Sequence, residues 1–410
     1  MKQPLSMLYQ DPAVQRERYL LLRDALLPLA HSAEQIRYFS APGRTELGGN
    51  HTDHQRGHVL AAAVNIDMAA AAAPNGTKRI RVMSEGYAPI EIDIGDLSPQ
   101  PKEKEQSAAL IRGIAAKLRA LGYPVSGFDL TMNSVVPKGS GLSSSAAFEV
   151  LIGTAMNGLF CRDTLSVVEI AQIGQWAENV YFDKPCGLMD QMASSVGDVV
   201  AMDLKDPAAP VIRKVNLSLE KEGYALAILR CGDDHADLTD AYGAIPTELH
   251  AIAEHYGKQS VLELDRLRVL SELGDLRKIA GDRAILRTFH IWDDDRRAEL
   301  QAQALERQDF ATYLRLVRDS GRSSWMYLQN VLPQTDPRRQ SLGLTIALCE
   351  QLLGETGACR VHGGGFAGTA QAYVPLPVSE AFRQSVDRVL GDGACQLLSI
   401  RAVGGTEVEL

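Results

Sequence analysis

The run Val135-Val136-Pro137-Lys138-Gly139-Ser140-Gly141-Leu142-Ser143-Ser144-Ser145-Ala146-Ala147-Phe148 decides how this chain is read. Just before it, Phe128, Leu130 and Met132 alternate with other residues, the period of a half-buried strand. Just after it, Ala146 to Phe160 is an apolar run of helical character. The order is therefore strand, small flexible loop, helix N-terminus. The first N–H groups of a helix have no partners within it, and its dipole is positive at that end. Glycines let backbone curl close to an anion, and hydroxyls add donors or a metal ligand. Physically this is a phosphate cradle. It is not the common P-loop, because no Gly-Lys-Ser/Thr closes it. The competing reading is a serine-rich cap on an ordinary buried helix.

Outward from that run, composition sets bounds. The chain has 410 residues, enough for two domains with sizeable cores. Apolar residues make up 45% and charged residues 23%, the balance of a globular protein. A net charge of −9 argues against nucleic acid or an anionic membrane as the main partner, though not against a nucleotide held by local donors. Met1 to Ser6 lacks a signal-type apolar core, and Val59 to Ala73 is interrupted by Asn65 and Asp67, so no membrane span is expected. Six cysteines, none in a Cys-x-x-Cys pair, fit reduced thiols in a cytoplasm.

Upstream, the spacing predicts a helix over 13–30 and a strand at Arg37–Ser40 that enters a loop spanning Ala41 to His54. That loop carries Arg44, Glu46, Asn50, His51, Asp53 and His54 among prolines and glycines, a density typical of a site. A hairpin is expected from Lys78–Met83 and Ile90–Ile94, and helices over 107–121 and 167–181, the latter with Glu169 and Glu178. It leads into Cys186-Gly187-Leu188-Met189-Asp190-Gln191, where Asp190 is either a cap or a general base. Strands are expected at 199–204 and 224–229, with a domain boundary between them that splits the chain into 1–205 and 206–410. The C-terminal half reads as helical over 237–330 and 341–353, followed by Arg360-Val361-His362-Gly363-Gly364-Gly365-Phe366-Ala367-Gly368-Thr369 and a strand at 370–374. The glycines match Gly-x-Gly-x-x-Gly only formally, since a dinucleotide fold needs a helix next and a strand follows. A hairpin over phosphates and a purely structural turn against the serine loop remain the two readings of that segment.

Together these stretches resemble the GHMP small-molecule kinases, and within them the galactokinases. Pro42-Gly43-Arg44 with His51-Thr52-Asp53 is similar to the signature Pro-Gly-Arg-Val-Asn-Leu-Ile-Gly-Glu-His-Thr-Asp. Pro137 to Ala146 resembles Pro-x-Gly-x-Gly-Leu-Ser-Ser-Ser-Ala, and Arg360 to Gly368 resembles Arg-Met-Thr-Gly-Gly-Gly-Phe-Gly-Gly. Cys186 to Gln191 resembles the segment that carries the family's catalytic aspartate. The resemblance implies an α+β fold of two domains, ribosomal-S5-like then ferredoxin-like, and an ATP-dependent sugar-1-kinase that uses Mg²⁺. It implies Asp190 as base with Arg44 beside it, and Ser145 and Glu178 on Mg²⁺. Ser84, Gly139, Ser140, Gly141, Leu142, Ser143, Ser144 and Ser145 would contact ATP. Asn50, His51, Asp53, Gly187 and, on a looser match, Tyr242 would contact sugar.

The chain departs from the pattern in places. Asn50 stands where the family has Glu, Thr45-Glu46 where it has Val-Asn, His362 where it has Thr, and Ala367 where it has Gly. The family glutamate is expected at the sugar's 6-hydroxyl, so Asn50 leaves two substrates open: galactose held through an amide, or a 6-carboxylated sugar such as galacturonate. Asn50 to Gln55 also partly resembles the galacturonokinases. A non-catalytic sensor that binds sugar and ATP is the alternative from another class.

Overall fold

The computed structural model describes residues 2–30, 32–137, 139–184, 186–232, 239–332, 338–366 and 368–410. Lys138, Ala367 and the start of the expected helical region at 237–238 lie outside them. The strands are β1 (Gln3–Pro4), β2 (Arg37–Gly48), β3 (His58–Pro74), β4 (Arg79–Ser84), β5 (Ile90–Asp93), β6 (Phe128–Ser134), β7 (Val199–Asp203), β8 (Val211–Val215), β9 (Tyr224–Arg230), β10 (Ala358–His362), β11 (Thr369–Pro375), β12 (Cys395–Leu398) and β13 (Thr406–Glu409). The helices are α1 (Leu5–Leu8), α2 (Pro12–Leu26), α3 (Ser107–Ala120), α4 (Ser144–Phe160), α5 (Val167–Ala177), α6 (Met189–Val196), α7 (Thr239–His255), α8 (Arg266–Ser271), α9 (Leu273–Ile279), α10 (Gly281–Glu306), α11 (Phe310–Ser323), α12 (Ser341–Leu353) and α13 (Ser379–Leu390).

Two sheets organise the molecule. The larger has the order β1-β13-β2-β3-β6-β4-β5, with β7 and β8 extending it from β3. The smaller is antiparallel in the order β10-β11-β9-β12. The 205/206 division falls between β7 and β8, and the larger sheet takes β8 and β13 from beyond it. A mixed sheet and an antiparallel one with helices packed on them are an α+β arrangement, as the resemblance implies. None of the helices among the described residues is long and apolar enough to cross a membrane.

The long central strand β3 is rich in alanine, a residue with weak strand preference. Tertiary packing overrides that preference. β3 pairs with β2 on one side and with β6 and β7 on the other, and nearly all of its residues are buried. Small side chains there let helices lie close to the sheet. One helix that does so, α4, is buried continuously from Ala146 to Gly158, which explains an apolar run with no polar face. Side chains such as Phe128 and Leu60, fully buried in this core, each contribute about 1.5–3 kcal/mol over remaining exposed.

One sequence expectation is corrected here. Ala41 to Gly48 is strand, not loop, and only the residues after Gly48 turn away. Pro42 and Gly43 do not break β2 because a register shift between Pro42 and Arg44 absorbs them as a bulge. At Gly43 a Cβ would lie 3.0 Å from the Leu142 carbonyl oxygen, and the Arg44 N–H donates to that same oxygen at 3.0 Å. Thus β2 runs directly beneath the serine loop. Also unread in the sequence were β8, an edge strand whose exposed residues lack clean alternation, and, beyond β11, α13, β12 and β13.

Candidate active site

The serine loop, the end of β2, the turn before α6 and the β10–β11 turn converge on an open cleft of about 280 Å³. Gly139 and Gly141 have φ values of 70° and 71°, and Ser143 takes the left-handed region at 52°. At Gly141 a Cβ would stand 2.5 Å from Thr369 Oγ1 and 2.9 Å from His362 Nδ1, so no other residue fits without displacing the β10–β11 hairpin. Ser144 opens α4, and Ser143, Ser144 and Ser145 all line the cleft. The unpaired first-turn N–H groups of a long buried helix therefore face it, which favours an anion.

Asp190 lies directly beside the loop. Its helix is preceded by Leu188 and has no side-chain cap, so the carboxylate is not capping. Instead Arg44 grips it with two hydrogen bonds, Nε to Oδ1 at 2.5 Å and Nη2 to Oδ2 at 2.6 Å. Ser143 Oγ donates to Oδ2 at 2.8 Å, and Arg44 Nη1 also donates to the Gly141 carbonyl. Burial pushes the Asp190 carboxyl up, but the Arg44 charge and hydrogen bonds and the Ser143 hydroxyl outweigh it and leave the group below its ordinary value. Asp190 is thus ionised at neutral pH, and its side chain is 31% exposed into the cleft.

Beside this pair sits a set of polar and aromatic groups. His51 donates from Nε2 to the Gly364 carbonyl oxygen at 3.1 Å, and burial lowers its pKa to about 3, so it is a neutral donor–acceptor. His54 Nε2 and the Tyr242 hydroxyl are 3.1 Å apart, and the His51 and Tyr242 rings are 5.4 Å apart. Asp53 closes this wall against Gly187, where a Cβ would fall 2.2 Å from Asp53 Oδ2. If the resemblance drawn from the sequence holds, Gly187→Ala displaces Asp53 and cuts kcat/KM for a sugar by on the order of 10²-fold, the usual cost of about 1 Å of misplacement, while affinity for ATP holds; steady-state kinetics in each checks both.

Glu178 follows α5 at the first position of a widened π-type turn, a distortion common at functional sites. The helix itself begins on a Ser166–Glu169 capping box, which gives Glu169 a structural role. Glu178 is buried at the cleft edge, and burial raises its pKa. Gln191 Nε2 donates to Glu178 Oε2 at 2.8 Å and to Glu149 Oε2 at 2.9 Å. Glu149 Oε1 and Gln191 Oε1 are buried without hydrogen-bond partners. Such acceptor-rich surroundings, with the Ser145 hydroxyl across the cleft, suit a hard cation that keeps waters and phosphate oxygens in its shell. Among the described residues no cluster of three His, Cys, Asp or Glu could hold a metal unaided.

Most sequence-derived site residues meet here: Arg44, His51, Asp53, Gly139, Ser140, Gly141, Ser143, Ser144, Ser145, Glu178, Gly187, Asp190 and Tyr242 line the cleft. Three do not. Leu142 is a core side chain that offers only its carbonyl to Arg44. Ser84 ends β4 beside Met132, outside the cleft lining. Asn50 is fully buried and spent within the protein. Its Nδ2 donates to the Gly363 carbonyl at 2.8 Å and its Oδ1 accepts from Asn330 at 2.9 Å. Glu46, four residues earlier on β2, does line the cleft. Sequence reasoning also passed over Lys184, whose Nζ stands 4.0 Å from Glu178 at the mouth. A lone cation beside the Cys186–Gln191 segment was the available signal. The glycines at 363–365 form a hairpin turn packed on Tyr242 and Asn330, so the dinucleotide pattern there is formal only.

Residues 109–198 match the family model of the GHMP kinases N terminal domain. Residues 30–74, the segment with β2 and the His51–Asp53 turn, match the galactokinase galactose-binding signature. Among solved structures the chain is similar to Lactococcus lactis galactokinase complexed with galactose, at 23% identity and TM-score 0.81, covering 95% of this chain and 99% of that one. It is also similar to Methanococcus jannaschii mevalonate kinase, at 13% identity and TM-score 0.62 with 88% and 98% covered. Homoserine kinase from Cytophaga hutchinsonii gives 16% identity and TM-score 0.58 with 92% and 99% covered. The resemblance to the GHMP kinases, and within them to the galactokinases, thus extends from four short motifs to matched segments and nearly the whole fold.

Proposed function

We propose that this chain transfers the γ-phosphoryl group of ATP to the 1-hydroxyl of galactose. The observation that carries the proposal is the Asp190–Arg44–Ser143 cluster set between a phosphate cradle and a sugar-sized polar wall. The galactose-binding signature over residues 30–74 supports the choice of sugar.

Phosphoryl transfer asks for positioning and charge more than covalent work. The ionised Asp190 accepts the proton of the attacking hydroxyl. Because its pKa is low, proton removal comes late, as the oxygen bonds to phosphorus and acidifies. Arg44 holds the carboxylate in place and keeps a positive charge near the transferred group. His51, Asp53 and Tyr242 fix the sugar, and the loop from Gly139 to Ser145 holds the phosphates. Mg²⁺, bound with the nucleotide, would be held by Ser145 and Glu178 and would neutralise phosphate oxygen charge. Glu178→Gln is expected to raise the Mg²⁺ concentration for half-maximal rate by on the order of 10–100-fold, at least the cost of losing an outer-shell partner. A Mg²⁺ titration at fixed ATP checks it.

Residues 1–205 would supply most of the sugar and nucleotide contacts and 206–410 the second unit, with β8 and β13 joined to the first sheet. A cytoplasmic location belongs to the same proposal, supported by six scattered cysteines of which none forms a Cys-x-x-Cys pair. The direct test is ADP release with Mg-ATP against galactose, galacturonate, N-acetylgalactosamine and glucose. Turnover on galactose supports the reading. ATP binding with no turnover on any sugar would replace it with a sensor.

A further inference from the structure

Glu46 carries more than the strand it sits on. Its carboxylate is buried yet lines the cleft, on a segment where β2 pairs regularly with β3 from Arg44 to Glu46. Residues two apart on a strand share a face, roughly 6.6 Å apart along it. Arg44 and Glu46 therefore project into one cleft side by side, and Arg44 marks the position of Asp190. That spacing is close to the width of a pyranose ring. A sugar whose 1-hydroxyl meets Asp190 places a hydroxyl of its far edge, at C4 or C6, over Glu46.

The hydrogen bonds fit an acceptor held ready. Glu46 Oε1 is fixed by Arg360 Nη2, a guanidinium buried completely, and by Asn50 Nδ2 at 3.1 Å. Among the described residues Oε2 has only the 3.4 Å approach of that same amide. Oε2 thus keeps acceptor capacity in reserve on a residue that lines the cleft, while Asn50 has none of its amide capacity left. The surroundings also fix the backbone here: the Glu46 N–H donates to His362 Nε2 at 3.3 Å and Gln371 Nε2 donates to the Glu46 carbonyl at 2.9 Å.

Resting on the sugar-kinase reading above, we infer that Glu46 is the specificity-determining residue, accepting a hydrogen bond from the far-edge hydroxyl and barring sugars that carry a carboxylate there. A buried acceptor left without its donor is costly, so a site built this way rejects the deoxy analogue strongly. A second carboxylate beside Glu46 would be repelled in a setting of low dielectric.

The test compares kcat/KM of the wild-type protein on galactose, 4-deoxygalactose, 6-deoxygalactose and galacturonate, then repeats the series on Glu46→Gln. The expected result is a loss on the order of 10²-fold or more on one deoxy sugar, which identifies the hydroxyl, and no measurable use of galacturonate. Glu46→Gln should shrink that deoxy penalty to below about 10-fold and admit galacturonate. Galactose turnover with no penalty on either deoxy sugar, or galacturonate used as well as galactose, overturns this inference alone. A folded Glu46→Gln protein with unchanged discrimination does the same. If removing the Arg360 partner prevents folding, the wild-type series decides. No turnover of galactose itself overturns the kinase reading, and this one with it.

Discussion

Asp190→Asn is expected to lower kcat on galactose by on the order of 10³-fold, within the range for loss of a positioned proton acceptor. The substitution is nearly isosteric. Its amide oxygen can still accept from Arg44, so the geometry of the cleft should persist. What disappears is the negative charge that takes the proton and balances the guanidinium. Both substrates should still bind, because the phosphate cradle and the His51–Asp53–Tyr242 wall do not depend on that charge. Calorimetric titration of ATP and of galactose, beside single-turnover kinetics, separates the two effects. A variant that keeps most of its rate would remove Asp190 from the proton-transfer role and leave Arg44 and the phosphate loop to account for catalysis.

Arg44→Met carries the second large effect, a fall in kcat of on the order of 10²–10³-fold, comparable to deleting one electrostatic donor from a preorganised site. It should also move the pH profile. In the wild type the Asp190 carboxyl lies below its ordinary value because Arg44 and Ser143 outweigh burial. Its ionised form is therefore retained down to pH values below the ordinary 3.8, and the Asp190 contribution to kcat/KM is lost only as pH falls through the depressed value. Without the guanidinium, burial is opposed only by the Ser143 hydroxyl and the more distant Lys184 charge, the smaller causes, and the pKa rises. The acid limb of kcat/KM should then shift to higher pH. Arg44→Lys should recover part of the rate but not the bidentate grip, since an ammonium cannot span both carboxylate oxygens and the Gly141 carbonyl. An acid limb that stays in place in Arg44→Met would detach Asp190's ionisation from Arg44.

What could be read from the sequence follows from how local each signal is. The helices at 107–120 and 341–353 carry their own periodicity, and both were legible to within a residue. The serine loop was legible because glycines, hydroxyls and a following apolar helix are contiguous in the chain. β2 was not, because Pro42, Gly43 and Gly48 are turn residues by composition and become strand only through bulges paired to β3. That misreading had a consequence for the site. Read as a loop, the segment gives no rule for side-chain direction, and Asn50 stood as the sugar contact by alignment to a motif. As a strand, alternation puts Glu46 on the face of Arg44, while the second register shift, between Glu46 and Gly48, precedes the turn that buries Asn50 against Asn330. Lys184 and Gln191 were passed over for another reason. Their relevance comes from Glu178 and Glu149, which reach them only through the packing of α4, α5 and α6.

The most direct measurement is the structure of the product. The protein is incubated with Mg-ATP and galactose, and the sugar phosphate is identified by ³¹P and ¹H NMR. A galactose 1-phosphate, formed mole for mole with ADP and absent in Asp190→Asn, is the expected result. Phosphate on any other hydroxyl, or ADP formed with no sugar phosphate, would contradict the placement of the 1-hydroxyl against Asp190.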